Sequence, residues 1–200
     1  MAKYILASGS PRRKQLLEWA EIDFEIITEP TNEIYPENLS PAEAVIHIAN
    51  NKLDPVLNKV ETNNIVIAAD TVVVLKGDLI GKPKDQQEAY AILNRLSGQH
   101  HQVITGVVLG SDTKRNSFID TTDVEFHHLT HEQIKFYVDK YKPYDKAGAY
   151  AIQEWIGVVG IKRIMGDFYN VMGLPISRVV KALKDFEAVD FNRSNTEPFL

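Results

Sequence analysis

The chain has 200 residues, of which 44% are hydrophobic and 24% are charged, proportions typical of a globular protein and not of a disordered one. Its formal net charge of −5 disfavours a broad nucleic-acid-binding face, because such a face is basic. The absence of cysteine excludes disulfides and thiolate metal sites.

Two features of the sequence bear on its location. No apolar run approaches the roughly 18 residues that a membrane span requires. The N-terminal stretch MAKYILASGS carries one lysine and a short apolar run, which falls short of a signal peptide. We therefore expect a cytoplasmic location and no membrane partner, in agreement with the lack of cysteine.

The predicted elements alternate between strand and helix from the N-terminus onward. KYILA predicts a short buried strand, after which Ser10 and Pro11 open a helix. A second strand follows at 24–28, and a capping box from Ser40 to Glu43 opens a long helix.

The middle of the chain predicts a sheet. NIVIAADTVVVLKGDLIGKP indicates a buried strand that turns back at a hairpin over 76–78. Asp85 and Glu88 form a second predicted capping box, and the helix that they open ends near Ser97. HQVITGVVLG and SFIDTTDVEFHHL then predict two paired strands.

The C-terminal third predicts a helix, a strand and a helix. Thr130 and Gln133 cap the first helix, GVVGIKRIMG is strand-like, and PISRVVKALKDF is amphipathic. The expected fold is α/β (mixed α+β), with a central mixed β-sheet, flanking helices and two lobes around a cleft. One elongated domain over 1–190 and a polar tail over 191–200 are expected.

The segment SGSPRRK places cations where a helix disfavours them. Arg12, Arg13 and Lys14 lie in the first helical turn, at the positive end of the helix dipole. The hydroxyls of Ser8 and Ser10, the backbone N–H groups and the guanidinium groups would together bind a phosphate. The alternative is a solvated basic helix start, since the dipole conflict costs only about 0.3–1 kcal/mol. The segment is not a P-loop.

A carboxylate interrupts the apolar run IVIAADTVVVL. Asp70 there is either a strand-end residue bonded to a loop, or a metal ligand or general base beside the phosphate site. Lys82 in GKP could return to the same face, although the pattern equally suits a solvated side chain. Lys52 alone suggests a surface lysine.

The remaining polar residues leave alternatives open. Glu29, Glu33 and Glu37 share one loop, so composition cannot choose a metal ligand among them. Asp145 and Lys146 indicate a local ion pair that closes a turn. The histidines lack the spacing of a zinc site, and no G-x-S-x-G segment supports a serine hydrolase.

Several of these segments, in this order, resemble the Maf family of nucleoside triphosphate pyrophosphatases: LASGSPRR, AADTVV, GKP, LSGQHHQVITGV, YDKAGAYAIQ and NVMGLP. The resemblance covers nearly the whole chain. It implies cleavage between the α and β phosphates of a nucleoside triphosphate with Mg²⁺ or Mn²⁺. It also implies a fold similar to that of inosine triphosphate pyrophosphatase, and a homodimer.

The resemblance assigns roles to individual residues. Asp70 matches the proton acceptor and a metal-binding carboxylate, and Glu33 matches a further metal ligand. The residues expected to bind the triphosphate or to stabilise the leaving pyrophosphate are Ser8, Ser10, Arg12, Arg13, Lys52 and Lys82.

Three positions vary among subgroups of the family. Arg12, Thr71 and Gln153 form the combination that resembles the dTTP/UTP pyrophosphatase subgroup. The amide of Gln153 would pair with O4 and N3–H of uracil or thymine. The expected substrates are therefore dTTP, UTP and small modified uridine triphosphates, in a nucleotide-pool cleaning role.

The alternative is a nucleotide-responsive regulator of septum formation that binds without turnover. Asp70 argues against it, because an unmetallated carboxylate would repel phosphates in a site made only for binding.

Overall fold

A mixed seven-stranded β-sheet lies at the centre of the computed structural model, which describes residues 3–32, 34–36 and 38–194. The strands are β1 (Tyr4–Leu6), β2 (Phe24–Ile26), β3 (Ile65–Leu75), β4 (Asp78–Ile80), β5 (His100–Gly110), β6 (Arg115–Phe126) and β7 (Ile161–Met165). Their order is β2-β1-β3-β5-β6-β7, with β4 paired to β3. β1 is parallel to β2 and β3, and the other pairs are antiparallel.

Helices cover both faces of the sheet, which confirms the predicted α/β class with a mixed sheet. The helices are α1 (Pro11–Trp19), α2 (Pro41–Leu57), α3 (Gln86–Leu96), α4 (His131–Tyr141), α5 (Trp155–Gly160), α6 (Phe168–Met172) and α7 (Ile176–Ser194). The buried side chains of α2 form clusters separate from the main cluster, which contains those of α1, α3, α4 and α7. The two-lobed shape and the division at 190 stay predictions.

Strand β3 is buried on both of its faces, which explains its continuous apolar sequence. Ile67 and Ala69 belong to the main cluster, whereas Val66 and Ala68 pack in the cluster under α2. Side chains alternate between faces along a strand, so consecutive residues of β3 face different helices.

Two of the three predicted capping boxes are complete. Ser40 and Thr130 form complete capping boxes with Glu43 and Gln133. Asp85 accepts a hydrogen bond from the backbone N–H of Glu88, but the Glu88 carboxylate reaches back one residue further, to the N–H of Lys84 at 2.7 Å. The second predicted capping box is therefore only half formed.

The strand predicted from GVVGIKRIMG is wrong in its first half. Residues Trp155–Gly160 form α5, and only Ile161–Met165 form β7. An apolar run cannot distinguish a strand from a short helix. A Cβ atom added at Gly157 would lie 1.7 Å from the carbonyl oxygen of Ile152, so the glycine allows the helix to fold tightly against the preceding segment. Val158 is 83% exposed, which a strand buried on both faces would not allow.

The hairpin predicted over 76–78 is present between β3 and β4. Lys76 and Gly77 connect β3 to β4 with φ values of +53° and +92°, the left-handed conformations that a tight two-residue hairpin loop requires.

Within residues 3–32, 34–36 and 38–194, no helix combines the length and apolarity that crossing a membrane would demand.

Close packing of α2 against β5 depends on Gly106, the residue paired with Asp70 across the sheet. A Cβ atom at Gly106 would lie 2.9 Å from the backbone of Val45 and of Ile46. We expect Gly106→Ala to lower the free energy of unfolding by about 1–3 kcal/mol, because α2 must move away from the sheet.

Urea-induced unfolding measures this change. Gly81→Ala is the matched control, because a Cβ atom there meets no atom within 4 Å. Equal stability of the two variants would contradict the packing argument.

Candidate active site

A cavity of about 320 Å³ opens beside the start of α1 and the middle of β3. The predicted site residues that line it are Ser8, Ser10, Arg12, Arg13, Lys52, Asp70, Thr71 and Lys82. These residues come from distant parts of the chain, so the fold brings them together. Glu33 lies outside the described residues.

The start of α1 faces this cavity. Ser10 is at the N-cap position, as predicted, but its side chain makes no capping hydrogen bond. Pro11 has no N–H group, and the first turn contains no acidic residue. The positive end of the helix dipole is thus left without a side-chain cap, an arrangement suited to an anionic ligand.

Arg13 is a buried part of the architecture. Arg13 is only 8% exposed, and its Nε donates a hydrogen bond of 2.8 Å to the carbonyl oxygen of Gly173. Its other nitrogens donate to Ser8 Oγ at 3.2 Å and to Thr71 Oγ1 at 3.1 Å. One guanidinium group therefore connects the loop before α1, strand β3 and the end of α6.

Gly173 provides the carbonyl group because of its backbone conformation. It ends α6 with φ of +115°, a conformation that side chains other than hydrogen rarely allow. The segment NVMGLP belongs to the family resemblance, but sequence reasoning gave Gly173 no role.

Asp70 and Lys52 form an ion pair at the cavity wall. Lys52 Nζ lies 2.7 Å from Asp70 Oδ1, and their side chains are 14% and 10% exposed. The lysine on α2 therefore compensates for the carboxylate that interrupts the apolar strand β3. The pair supports the interpretation of Lys52 as a site residue and disfavours that of an exposed surface lysine.

The segment that carries Lys82 is held by a turn from the C-terminal half. The N–H of Gly148 donates to the carbonyl oxygen of Gly81 at 3.1 Å. Gly148 has φ of +72°, and a Cβ atom there would lie 2.7 Å from Val73 Cγ2. Ala149 also has a positive φ of +58°, so this turn holds strained backbone beside the cavity.

The same turn contributes charged groups to the cavity wall. Lys146 and Asp145 form the predicted local ion pair at 2.7 Å, and Arg12 adds a second contact of 2.9 Å to the Asp145 carboxylate. Burial alone would raise the pKa of Asp145, but hydrogen bonds from Lys146 and Arg12 outweigh it and lower the pKa to about 2.

The carboxylates at the cavity can be compared with the needs of a divalent cation. Asp70, Glu29 and Asp145 line the cavity. No three His, Asp or Glu side chains among the described residues are grouped to hold a metal alone. Mg²⁺ is commonly held by one or two carboxylates together with substrate phosphates, so the residues present fit such a cation.

Gln153 lies apart from the cavity. It lines a second, more open concavity with the exposed aromatic residues Trp19, Phe168 and Tyr169. Met172 lines both spaces, so they adjoin. The predicted role of Gln153 in recognising the base stays a prediction.

Sequence reasoning also gave no role to a buried pair behind the cavity wall. Tyr150 lines the cavity, and its hydroxyl forms a hydrogen bond of 2.8 Å with Nε2 of buried His101. Desolvation, with a smaller effect of His100, lowers the pKa of His101 to about 4, so its imidazole is neutral at pH 7. The sequence signal that could have pointed to Tyr150 is its position in the segment DKAGAY, four residues after Lys146.

Comparison with known sequences agrees with this arrangement. A family model described as Maf, Maf-like protein, matches residues 3–186. The chain belongs to the Maf family. The resemblance drawn from the sequence is thereby confirmed, and the cavity, Arg13 and the Lys52–Asp70 pair are features of a Maf protein.

Relatives of this Maf protein carry a specific name. A dTTP/UTP pyrophosphatase of Bacteroides thetaiotaomicron is 46% identical over 181 residues, which cover 90% of this chain and 94% of the relative. A dTTP/UTP pyrophosphatase of Cytophaga hutchinsonii is 48% identical over 180 residues, which cover 90% and 82%.

Among solved structures, the Staphylococcus aureus Ham1 protein matches 92% of this chain and 99% of its own. The TM-score is 0.49 and the sequence identity is 17%.

The burial of Arg13 predicts a loss of stability. The helix dipole alone would predict that Arg13→Ala leaves the stability unchanged or slightly raised. However, the substitution removes the donor of the 2.8 Å hydrogen bond to the Gly173 carbonyl, which keeps the longer 3.4 Å contact from the Thr71 hydroxyl, and it also removes a donor from Ser8 and Thr71. We expect the free energy of unfolding of the ligand-free protein to fall by about 1–3 kcal/mol.

Chemical denaturation of Arg13→Ala and of Lys14→Ala separates the two arguments. Lys14 lies in the same helical turn but is exposed and pairs with Glu18, so its removal should change little. A stability of Arg13→Ala equal to that of the wild type would show that the dipole dominates.

Proposed function

We propose that this Maf protein is a nucleoside triphosphate pyrophosphatase that hydrolyses dTTP and UTP to the monophosphate and pyrophosphate. The observation that carries the proposal is the Lys52–Asp70 pair at the wall of a cation-lined cavity. Support also comes from the relatives named dTTP/UTP pyrophosphatase, which match about nine tenths of the chain.

The charges at the cavity suit a triphosphate. Its cationic lining residues are Arg12, Arg13, Lys52, Lys82 and Lys146. The uncapped start of α1 adds the positive end of a helix dipole. In the proposed complex, Ser8 and Ser10 offer hydroxyl groups to the phosphates, and the cations offset their charge and that of the leaving pyrophosphate.

The reaction that we propose is an in-line displacement at the α phosphorus. The oxygen of a water molecule forms a bond to that phosphorus, and the bond to the oxygen that bridges the α and β phosphates breaks. Asp70 is the group suited to orient this water and to accept its proton. Lys52 contacts Oδ1 of Asp70, and Oδ2 is the oxygen that we assign to this water.

A divalent cation belongs to the proposal. Asp70 would hold it together with phosphate oxygens, and Glu33 is the further ligand implied by the family resemblance. Such a cation, Mg²⁺ or Mn²⁺, would supply charge compensation and polarisation at the phosphates.

Recognition of the base is assigned to Arg12, Thr71 and Gln153. Thr71 is held by Arg13 and by Thr105, whose Oγ1 lies 2.9 Å from that of Thr71. Gln153 would pair its amide with O4 and N3–H of the pyrimidine in the adjoining concavity. Cytosine and purines present different edges, so they should be poorer substrates.

A cytoplasmic homodimer completes the proposal. The dimer is the state that the family resemblance implies. Sedimentation of the purified protein would determine its mass in solution.

Replacement of Asp70 tests the chemistry. Asp70→Asn keeps the size of the side chain but removes the acceptor of the proton, so we expect turnover of UTP to fall at least about 100-fold. Nucleotide binding should persist, because a negative charge near the phosphates is removed. Pyrophosphate release with Mg²⁺ or Mn²⁺ measures the change.

Asp78→Asn is the matched control, because Asp78 forms an exposed pair with Arg95. Turnover by Asp70→Asn near the level of this control, with the fold intact, would exclude Asp70 as the proton acceptor. Binding without turnover by the wild type would favour the regulator over the enzyme.

A substrate panel tests the base preference. We expect pyrophosphate release from dTTP and UTP to exceed that from CTP, GTP and ATP, and Gln153→Glu to lower activity on UTP without lowering the melting temperature. The change removes the amide donor of an exposed side chain, so the core is unaffected. Equal hydrolysis of all five nucleotides would refute the assigned preference and leave the pyrophosphatase proposal standing.

A further inference from the structure

One carboxylate at the cavity is shared by two cations. Asp145 Oδ2 lies 2.9 Å from Arg12 Nη1, and its Oδ1 lies 2.7 Å from Lys146 Nζ. Arg12 belongs to α1, and Asp145 lies 133 positions further along the chain, in the segment between α4 and β7. The carboxylate therefore connects the two sides of the cavity.

The attachment of Asp145 is itself held from behind. The Lys146 side chain is only 10% exposed, and its Nζ also lies 3.6 Å from Glu154 Oε1. Glu154 accepts a hydrogen bond from the hydroxyl of Tyr137, which is completely buried. Tyr137 Oη in turn accepts a hydrogen bond of 3.1 Å from the N–H of Ala151. A continuous chain of polar contacts thus joins Asp145 to a core residue of α4.

Arg12 is more exposed than Arg13 and is held by fewer hydrogen bonds among the described residues. Its side chain is 21% exposed, and Asp145 is its only hydrogen-bond partner among the described residues. A long side chain at a helix start loses much conformational entropy when it binds a ligand, unless another group already holds it in place. The guanidinium carries five N–H donors, so Asp145 leaves donors for a second anion.

We propose that Asp145 is a positioning residue, which together with Lys146 holds the Arg12 guanidinium in the place where it binds the nucleotide. The inference rests on the proposed function for the identity of the ligand. The charge of Asp145 does not repel the phosphates strongly, because two cations contact it. Its lowered pKa agrees with a carboxylate that stays ionised at every pH at which the protein would work.

A double-mutant cycle on binding tests this role. The probe is a UTP analogue with a methylene group between the α and β phosphates, so its affinity is measured by calorimetry without turnover. We expect Asp145→Asn to weaken binding about 5- to 30-fold, less than the loss of a whole charge-assisted hydrogen bond, because the asparagine can still accept a hydrogen bond from Arg12. In an Arg12→Ala background the same change should alter the affinity by less than about twofold, because the residue acts through Arg12.

Two controls make the result specific. Asp139→Asn removes an exposed carboxylate that pairs with Lys135 on α4, and it should bind the analogue as the wild type does. Thermal unfolding of Asp145→Asn should show only a small loss of stability: the lowered pKa of Asp145 means that its charge stabilises the fold, but more than half of this side chain is exposed and the substitution keeps its size.

The cycle can overturn the inference in two ways. Equal weakening in both backgrounds would mean that Asp145 acts independently of Arg12, and unchanged or tighter binding by Asp145→Asn would mean that it competes with the ligand. Wild-type protein that binds the analogue but releases no pyrophosphate from any nucleotide would refute the proposed function, while the cycle would still decide the role of Asp145.

Discussion

The arrangement of the cavity depends on the buried guanidinium of Arg13. A charged group only 8% exposed is costly unless its donors are satisfied, and here a loop hydroxyl, a strand hydroxyl and a helix-terminal carbonyl satisfy them. The three acceptors belong to segments that are far apart in the sequence. Their positions relative to one another are consequently fixed by the geometry of one planar group.

The two ion pairs at the cavity, Lys52–Asp70 and Arg12–Asp145, differ in how firmly the fold holds them. Lys52 and Asp70 lie on α2 and β3, regular elements whose facing side chains pack in one buried cluster, so their separation is set by the packing of helix on sheet. Arg12 and Asp145 lie at a helix start and in a turn, and their contact is more exposed. The first pair suits chemistry that requires a constant distance, and the second suits a ligand that must enter and leave.

Local patterns predicted most of the elements but not the contacts at the site. Periodicity located β3, and capping signals located α2 and α4, because these depend on neighbouring residues. The strand prediction failed at Trp155–Gly160, which is helical. The close approach of Gly157 to the carbonyl oxygen of Ile152 is seen only in the folded structure, so the sequence pattern could not reveal it. Composition showed Asp70 to be unusual, but only the resemblance to Maf proteins selected Lys52, since their proximity depends on how α2 crosses the sheet.

The alternation of side chains along β3 makes the pairing register of the sheet a functional quantity. Asp70 contacts Lys52 on α2, whereas the next residue, Thr71, contacts Arg13. A slip of β3 by a single residue would move Asp70 away from Lys52 and Thr71 away from Arg13, and would bring Ala69 or Val72 to one of these partners. The long ladder from Val66 to Val74 with β5 resists such a slip, because every pair along it would have to change together. The length of this strand thus fixes the register, so that Asp70 stays beside Lys52 and Thr71 stays beside Arg13.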